Sequence, residues 1–314
     1  MEKEIGIVGF GNQGEPWGLN LRDSGWRVRT FFRGATPHVD RARSLGFEPE
    51  PLDRIGSVPV LALLIPDDAM PSFCSTYLNS FREGQALCFA HGFTLHYRTA
   101  SWPASADWIL VAPQGIGTAV RECFLAGSGV PAVIAIENDF SKHAWEIAQN
   151  VAEGLGSAKA GIYEGTVKEE VETDLFSEQA LLCGGVPALV AETYDVLVKG
   201  GVKPEIAYLE CVHELKFIVD LFQRRGIHDT LRAASPTAQF GGFQASRRLI
   251  SSELRKELET MLAEIRKGTF AQALATEAQG GFPKTNEAFE RLRASSIEAV
   301  GERVRKRIQG ESFK

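Results

Sequence analysis

Short apolar runs alternate with stretches of helical period through the first half of the chain. Such runs are typical of strands that are buried on both faces of a parallel sheet. The predicted strands are Ile5–Val8, Trp26–Phe32, Val60–Ile65, Leu87–Ala90, Trp108–Ala112 and Ala132–Ile136. Helices are predicted between them, one ending near Ser24 and a short one over Val39–Leu45. With right-handed crossovers, this order predicts an α/β fold, a doubly wound Rossmann-like domain over residues 1–165.

The second half of the chain has a different pattern. From about Thr166 onward, long stretches have a helical period and contain no clear strand. Gly-Gly pairs and single prolines divide these stretches, as at Pro187, Pro204, Pro236 and Pro283. We therefore predict that an all-α domain over residues 166–314 follows the α/β domain.

Length, charge and cysteine usage narrow the functional classes. A chain of 314 residues fits two domains. A net charge of -6 argues against a nucleic-acid partner, because phosphate binding normally needs a basic face. The longest uninterrupted apolar run, Val60–Ile65, is too short to cross a membrane, and the N-terminal residues show no targeting pattern. Five cysteines without C-x-x-C spacing indicate reduced core thiols, so we expect a cytoplasmic protein.

A glycine-rich turn follows the first predicted strand. Gly9, Gly11 and Gly14 form a G-x-G-x-x-G pattern, with Asn12 and Gln13 before the last glycine, and a helix is predicted to begin there. Glycines let the backbone approach a pyrophosphate, and the free N–H groups at the helix start attract its charge. We therefore predict a dinucleotide site at these residues, with a ligand-free tight turn as the alternative.

The end of the second predicted strand indicates which dinucleotide is bound. A site that prefers NAD usually has Asp or Glu about 20 residues beyond the fingerprint, on the ribose hydroxyls. This chain instead has Arg33, then Thr36, His38 and Arg41. A cation beside a hydroxyl suits a 2′-phosphate, so NADPH is favoured, unless Arg33 simply projects into solvent. Glu15 argues against a dinucleotide at the glycine turn itself, because it puts a negative charge beside the phosphate position.

Acidic residues recur at helical spacing at the start of the second half. Glu170, Asp174 and Glu178 lie four residues apart, which stacks them on one face of a helix. Like charges at this spacing destabilise a helix by a few tenths of a kcal/mol per pair. A divalent cation such as Mg²⁺, which prefers oxygen ligands, would offset this repulsion.

A second acidic pair, Glu210 and Glu214, lies in the mostly apolar stretch Ala207–Val219. An apolar helix is expected to be largely buried, where two carboxylates are costly unless cations pair with them. The alternative is a solvated stripe, or ion pairs with Lys168 and Lys216. Two such pairs behind a dinucleotide fold favour a metal site over that alternative.

Two polar residues follow predicted strands of the sheet. His91 comes just after Leu87–Ala90, and Gln114 just after Trp108–Ala112. Ligands of open α/β sheets bind beyond the carboxyl ends of the strands. Both residues are therefore candidates for the site, although a lone histidine is more often structural.

Together these motifs resemble ketol-acid reductoisomerase, the acetohydroxy acid isomeroreductase family, in its short form with one helical domain. The similar stretches are Gly9–Gly14, Asn20–Gly25, Phe89–Phe93, Glu172–Gln179, Cys183–Gly185 and Tyr208–Lys216. The resemblance covers nearly the whole chain and implies an oxidoreductase of branched-chain amino acid biosynthesis. Its substrate would be a 2-acetohydroxy acid such as 2-acetolactate, rearranged by alkyl migration and then reduced to a 2,3-dihydroxy acid.

The resemblance also implies NADPH and two Mg²⁺ ions as cofactors. NADPH would bind at the glycine turn, with Arg33 and the loop from Thr36 to His38 near its 2′-phosphate. Asp174 would bridge the two metal ions, and Glu178 would complete the protein ligands of the first.

The remaining implied roles fall on the helical half and on the sheet edge. Glu210 and Glu214 would serve the second metal and the substrate, with Glu214 as an acid or base. In this family they come from the second subunit of an entwined homodimer with a shared active site, which can assemble further. Ser235 matches the serine that binds the substrate carboxylate, and His91 matches the histidine beside the reaction centre.

The sequence departs from the family pattern at three positions. Gln114 stands where the family has an active-site lysine, Glu15 replaces a histidine after the glycine turn, and His38 replaces a phosphate-binding serine. The loss of the lysine charge leaves two alternatives within the enzyme class: weak isomerase activity, or reduction of another 2-keto acid. A nucleotide-binding sensor on the same scaffold is the non-enzyme alternative, and the intact acidic pairs argue against it.

Overall fold

The computed structural model describes residues 3–308, and its backbone divides between Asp174 and Leu175 into two compact units. The first unit contains eight strands: β1 (Glu4–Val8), β2 (Arg27–Phe32), β3 (Pro49–Pro51), β4 (Val60–Leu63), β5 (Ala86–Phe89), β6 (Asp107–Pro113), β7 (Ala132–Asn138) and β8 (Ile162–Glu164). They form one sheet in the order β3-β2-β1-β4-β5-β6-β7-β8. The predicted Rossmann-like domain is confirmed.

The strand directions differ from the sequence prediction at one pair. All neighbouring strands are parallel except β6 and β7, which are antiparallel, so the expectation of a parallel sheet is wrong there. An apolar run reports that a strand is buried but carries no information on its direction. The short edge strands β3 and β8 escaped prediction because they contain prolines or exposed side chains instead of an apolar run.

The strand order creates the crevice in which a ligand can bind. The chain runs outward from β1 to β3, then crosses to β4 on the other side of β1. The loops that follow β1 and β4 therefore diverge, and the carboxyl ends of these strands face a crevice.

Helices cover both faces of this sheet. They are α1 (Gly14–Asp23), α2 (Pro37–Ser44), α3 (Met70–Tyr77), α4 (Phe93–His96), α5 (Gly117–Leu125), α6 (Ala144–Gly154) and α7 (Val167–Ser177), the last of which reaches the division between the units. Three short 3₁₀ turns lie at Leu52–Ser57, Leu78–Ser80 and Ser157–Lys159. The fully buried Trp17 and Leu21 of α1 pack with Val151 of α6 in the main core.

A buried asparagine ties these helices together. The Asn20 side chain donates to the carbonyls of Val120 and Leu155, each at 3.2 Å, and accepts from Arg121 at 2.8 Å. Because a buried amide is costly without partners, this network fixes α1 against α5 and α6. The Asn20–Gly25 part of the family-like pattern therefore supports the fold beneath the glycine turn.

The second unit is all helical, as predicted. Its helices are α8 (Gly185–Lys199), α9 (Pro204–Tyr208), α10 (Glu214–Ala233), α11 (Pro236–Leu249), α12 (Ser252–Lys267), α13 (Thr269–Gln279), α14 (Pro283–Arg293) and α15 (Ser296–Ile308). Two π-helical turns, Glu178–Leu182 and Leu209–His213, interrupt the α-helical pattern. A small core surrounds the fully buried Tyr194, whose hydroxyl lies 2.9 Å from that of Ser296.

Many large apolar side chains of the second unit are exposed in the single chain. They include Leu181, Leu182, Leu189, Val196, Phe217, Val219, Ile227, Phe240, Phe243, Leu249 and Ile250. The expectation that the helix carrying Glu210 and Glu214 is largely buried is therefore wrong for the isolated chain. Its exposed apolar side chains favour a contact that residues 3–308 of the single chain do not supply.

One helical stretch of the described residues, Val167–Lys199, is long and apolar enough to cross a membrane by length and composition alone. The prediction from uninterrupted apolar runs did not detect it, because polar residues divide the stretch. Core helices of soluble proteins pass the same test.

The cysteines follow the prediction only in part. All five are free, and Cys74 and Cys88 are buried. Cys123 and Cys211 are partly exposed and Cys183 is exposed, so the expectation of core thiols is wrong for these three.

Candidate active site

The glycine turn connects β1 to α1 at the crevice. Gly9 has φ +93, and a Cβ there would lie 2.4 Å from the carbonyl oxygen of Leu64. A Cβ on Gly14 would lie 1.8 Å from the carbonyl oxygen of Gly9, whereas a Cβ on Gly11 would meet nothing within 4 Å. The first and last glycines are thus required by the fold, and the middle one leaves open space for a ligand. This arrangement fits a pyrophosphate on the turn.

The turn also packs against the loop after β6. The Gln13 side-chain NH₂ donates to the carbonyl of Gly115 at 3.2 Å, and its Oε1 is buried without a partner among the described residues. Gly117 comes so close to the carbonyl of Asn12 that a Cβ would lie 1.5 Å from it. The loop that carries Gln114 is therefore held beside the glycine turn.

A cavity of about 290 Å³ opens beside the turn and the end of β2. Its walls include Phe31 and Phe32, and three exposed residues, Arg33, Thr36 and His38, also line it. The Arg33 side chain makes no hydrogen bond or ion pair with any other residue in the described range. An apolar cavity with an unpaired cation fits an adenosine that carries a phosphate.

Glu15 is neutralised where it stands. Arg41 of α2 binds it in a bidentate ion pair, with Nε 2.8 Å from Oε2 and the second nitrogen 2.5 Å from Oε1. This hydrogen-bonded pair lowers the pKa of Glu15, so the carboxylate stays ionised and paired. The objection that Glu15 repels a phosphate is thereby weakened.

Three potential metal ligands meet at the carboxyl edge of the sheet. One donor atom from each of His91, Glu170 and Asp174 lies within 4.8 Å of the others. His91 Nε2 is 3.4 Å from Asp174 Oδ2, and it is buried without a hydrogen-bond partner among the described residues. Glu170 is buried and accepts from the Gly92 N–H at 3.0 Å.

Asp67 completes this cluster from the loop after β4. Its Oδ2 lies 3.2 Å from His91 Nδ1, on the opposite side of the ring from Asp174. Sequence reasoning did not identify Asp67. The available signal was its position just beyond the strand neighbouring β5, where ligand-binding residues gather.

Burial and charge shift the pKa values of the cluster. Burial lowers the pKa of His91, but the hydrogen bond to Asp67 and the charges of Glu170, Asp67 and Asp174 outweigh it and raise the pKa to about 9. Burial raises the pKa of Glu170 to about 7 and that of Asp174 above its usual value. The cluster thus holds excess negative charge around one imidazole, which a bound cation would stabilise.

The donor set fits a hard divalent cation. The carboxylates of Glu170 and Asp174 supply oxygen ligands of the kind that Mg²⁺ prefers. The imidazole of His91 is a softer donor, better suited to exchange a proton or to bind a substrate oxygen.

The other predicted acids lie on the π-helical turns or next to them. Glu178 is exposed and begins the first π turn, one turn of helix beyond Asp174. Glu210 lies in the second π turn and Glu214 directly after it, and both line a cavity of about 410 Å³ within the second unit. π-Helical turns are rare and occur frequently at functional sites.

The alternative ion pairs with lysine are not formed. Lys168 lies 3.8 Å from Glu172, and Lys216 lies 2.6 Å from Asp220. Glu210 and Glu214 are exposed, as the alternative of a solvated stripe also predicts. The isolated chain therefore leaves this second pair accessible.

Gln114 and Ser235 occupy ordinary structural positions in the single chain. The exposed Gln114 side chain donates to the carbonyl of Ala112 at 3.1 Å. The Ser235 hydroxyl accepts from the Ala238 N–H at 3.2 Å and so caps α11. Neither arrangement prevents a ligand from taking over these polar groups.

Two family models together match nearly the whole chain. Residues 1–161 match the acetohydroxy acid isomeroreductase NADPH-binding domain, and residues 167–309 match the ketol-acid reductoisomerase C-terminal domain. The ketol-acid reductoisomerase (NADP(+)) of Pyrobaculum calidifontis is 39% identical over 310 residues, covering 98% of this chain and 94% of that protein.

Solved structures agree with these matches. An NADH-preferring ketol-acid reductoisomerase from an uncultured archean has a TM-score of 0.93 at 34% identity, covering 97% of this chain and 94% of the other. A putative oxidoreductase from Jannaschia sp. CCS1 has a TM-score of 0.66 at 15% identity over 88% of this chain and 99% of the other, which is a likeness of fold alone.

Proposed function

The chain belongs to the ketol-acid reductoisomerase family, and we propose that it converts 2-acetolactate and related 2-acetohydroxy acids to 2,3-dihydroxy acids. It is an NADPH-dependent oxidoreductase of branched-chain amino acid biosynthesis. The observation that carries the proposal is the cluster of His91, Glu170 and Asp174 at the carboxyl edge of a dinucleotide-binding sheet. The cluster places acid–base groups and oxygen ligands at the same edge of the sheet as the nucleotide turn.

The proposed nucleotide site uses the turn from Gly9 to Gly14 and the cavity beside it. The pyrophosphate lies over Gly11, which leaves space for it, and the adenosine enters the cavity between Phe32 and α3. NADPH supplies the hydride for reduction. Arg33, Thr36 and His38 face the 2′-phosphate from the rim.

Replacing Arg33 with alanine is expected to weaken NADPH binding far more than NADH binding, because Arg33 is the rim cation without a partner in the described range. The affinity for NADPH should fall about tenfold, since a charge-assisted hydrogen bond contributes roughly 1.5 kcal/mol. Michaelis constants for both cofactors measure it. Arg27→Ala is the control, because that exposed arginine pairs with Glu4 at the other end of β2. Equal losses for both cofactors would contradict the assignment.

The proposed metal site begins with Asp174 and Glu178. Glu170 lies one helical turn before Asp174, and its buried carboxylate is fixed by the Gly92 N–H. Mg²⁺ supplies Lewis-acid polarisation of the substrate carbonyl and stabilises a developing alkoxide. By family resemblance, Glu210 and Glu214 serve the second metal and the substrate from the other subunit.

His91 is the proposed proton carrier at the reaction centre. Asp67 accepts a hydrogen bond from Nδ1–H, which leaves Nε2 turned toward Asp174 and the crevice. An imidazole that is anchored at one nitrogen can exchange a proton with a substrate oxygen at the other nitrogen. Ser235 is the proposed ligand of the substrate carboxylate.

A homodimer is the proposed assembly. The exposed apolar side chains of α8, α10 and α11 are too many for a soluble monomer and need a cover. A second copy covers them, including the exposed apolar side chains within Val167–Lys199, consistent with a cytoplasmic enzyme. Light scattering should give about twice the chain mass of 34.3 kDa, or a multiple of that dimer. A stable monomer at micromolar concentration would contradict this proposal.

One assay tests the proposed function as a whole. NADPH oxidation is followed with Mg²⁺ and 2-acetolactate, beside 3-hydroxy-3-methyl-2-ketobutyrate, which needs reduction but no isomerisation. We expect turnover of both, with acetolactate strictly dependent on Mg²⁺. Turnover of the second substrate alone would favour a divergent reductase whose isomerase step is weak because of Gln114. Turnover of neither, with NADPH still bound, would favour another 2-keto acid or a nucleotide sensor.

A further inference from the structure

The Glu15–Arg41 ion pair joins the two parts of the nucleotide site. Glu15 is in the first turn of α1, directly after the glycine turn, and Arg41 is in α2, directly after the loop of Arg33 and Thr36. Within residues 3–308, their bidentate contact is the only ion pair that either residue forms. The pair therefore lies between the expected positions of the pyrophosphate and the 2′-phosphate.

If Arg41 is released from Glu15, it is placed to reach the part of the cavity where Thr36 and His38 are proposed to face the 2′-phosphate. It follows His38 by three residues in α2, and residues three apart lie on the same face of a helix. His38 lines the cavity. A guanidinium on that face can turn from Glu15 toward the rim by rotating its own side chain.

The other cations of this segment differ in their partners. Arg43 lies 3.5 Å from Asp40 on the outer part of α2, and Arg33 pairs with no described residue. Arg41 is half-exposed and bound to Glu15 through both oxygens. In this arrangement Arg33 is available to bind a 2′-phosphate, whereas Arg41 is bound to Glu15 and is not available.

We propose that Glu15 sets the strictness of NADPH over NADH by holding Arg41 away from the 2′-phosphate. The inference rests on the proposed function, since it requires that NADPH bind at this turn. Glu15 limits the preference because it sequesters a guanidinium that could otherwise bind the 2′-phosphate. Removing its charge releases Arg41, and removing Arg41 leaves Glu15 unpaired beside the nucleotide.

The test is a double-mutant cycle on nucleotide binding, without substrate or metal. Dissociation constants for NADPH and NADH are measured by nucleotide fluorescence for the wild type, Glu15→Gln, Arg41→Gln and the double variant. Glu15→Gln should tighten NADPH about three- to tenfold and change NADH little, because a freed guanidinium gains a charge-assisted contact with the phosphate. Arg41→Gln should weaken NADPH more than NADH. In the double variant, the tighter NADPH binding seen in Glu15→Gln should disappear.

Asp40→Asn is the matched control. It removes the same unit of negative charge, from α2 instead of α1, and releases Arg43 instead of Arg41. Its ratio of NADPH to NADH affinity should equal that of the wild type. The gain in Glu15→Gln should also shrink as salt rises, since exposed charges are screened. Circular dichroism and tryptophan fluorescence verify that each variant is folded.

Three results would overturn the inference: no change of the ratio in Glu15→Gln, the same gain in Asp40→Asn, or a gain that survives in the double variant. Each leaves the proposed function intact if the wild type binds NADPH. A folded wild type that binds neither nucleotide would overturn the proposed function as well.

Discussion

Asp174→Asn is expected to abolish Mg²⁺-dependent turnover while the protein stays folded. The asparagine keeps the shape of the side chain but loses the charge that a divalent cation needs from its ligand. A ligand that stabilises the charge of the transition state by several kcal/mol is worth about 10³-fold in rate or more. The fold should survive because burial raises the pKa of Asp174, so ionisation of this group is already penalised in the folded state. A neutral side chain removes that penalty.

Calorimetric titration with Mg²⁺ separates the metal site from the reaction. Affinity for Mg²⁺ should fall by more than about tenfold in Asp174→Asn, while NADPH binding stays near the wild-type value. Glu169→Gln is the control, because Glu169 lies on the same helix but is exposed and paired locally with Thr166. Unchanged Mg²⁺ affinity in Asp174→Asn would refute the assignment.

Those parts of the fold that depend on a local pattern were predictable from the sequence. The glycine turn was found because Gly9 and Gly14 are required by backbone contacts that other residues cannot make. The main strands were found because both faces are buried, which removes polar residues from them. The direction of β7 depends on how the chain returns to the sheet, and no residue within the strand reports it.

The candidate site was predictable in its acids but not in its contacts. Spacing of four singled out Glu170 and Asp174, and the structure adds that both approach His91. Asp67 was missed because a single acid after a strand is common, and only the fold brings it to the His91 ring. The sequence shows Arg41 shortly after the second strand, whereas its pairing with Glu15 depends on the distance between two helices.

The helical half shows a further limit of the sequence. Apolar residues around Glu210 predicted burial, and the isolated chain leaves Phe217 and Val219 about half exposed. An apolar helix face indicates that it will be buried, but the sequence does not identify the surface that buries it. A second copy of the chain resolves this difference under the proposed assembly, since an intermolecular contact and a core contact have the same sequence pattern.

Gln114→Lys is expected to raise turnover of acetolactate by at least about tenfold. Gln114 follows β6, and His91 follows the neighbouring parallel strand β5, so both side chains start from the same edge of the sheet. The amide of Gln114 can hydrogen-bond a substrate oxygen, but it cannot supply the unit charge of a lysine. Near a developing alkoxide such a charge is worth several kcal/mol in a site that excludes water, and each 1.4 kcal/mol or so is tenfold in rate.

Nothing in the fold opposes the lysine. Gln114 is exposed, and its side chain makes a single local hydrogen bond to Ala112, while its backbone N–H is bonded to Pro131. The substitution should therefore leave stability and NADPH affinity unchanged. Gln114→Met serves as the control, because methionine has a similar length without charge or amide. If methionine raises turnover as much as lysine, the amide hinders the reaction and charge is not the cause.

Comparison of two substrates decides what Gln114 is for. If acetolactate is the natural substrate, Gln114→Lys should raise kcat on it and leave reduction of 3-hydroxy-3-methyl-2-ketobutyrate much less affected, because the charge acts mainly on the alkoxide of the alkyl migration. If Gln114 suits a different 2-keto acid, the lysine variant gains nothing on acetolactate and loses activity on that acid. A wild type that already turns over acetolactate as fast as lysine-bearing relatives would refute the claim that the missing charge matters. In that case another cation must stabilise the alkoxide. The first candidate would be a metal ion bound by the proposed ligands Asp174 and Glu178.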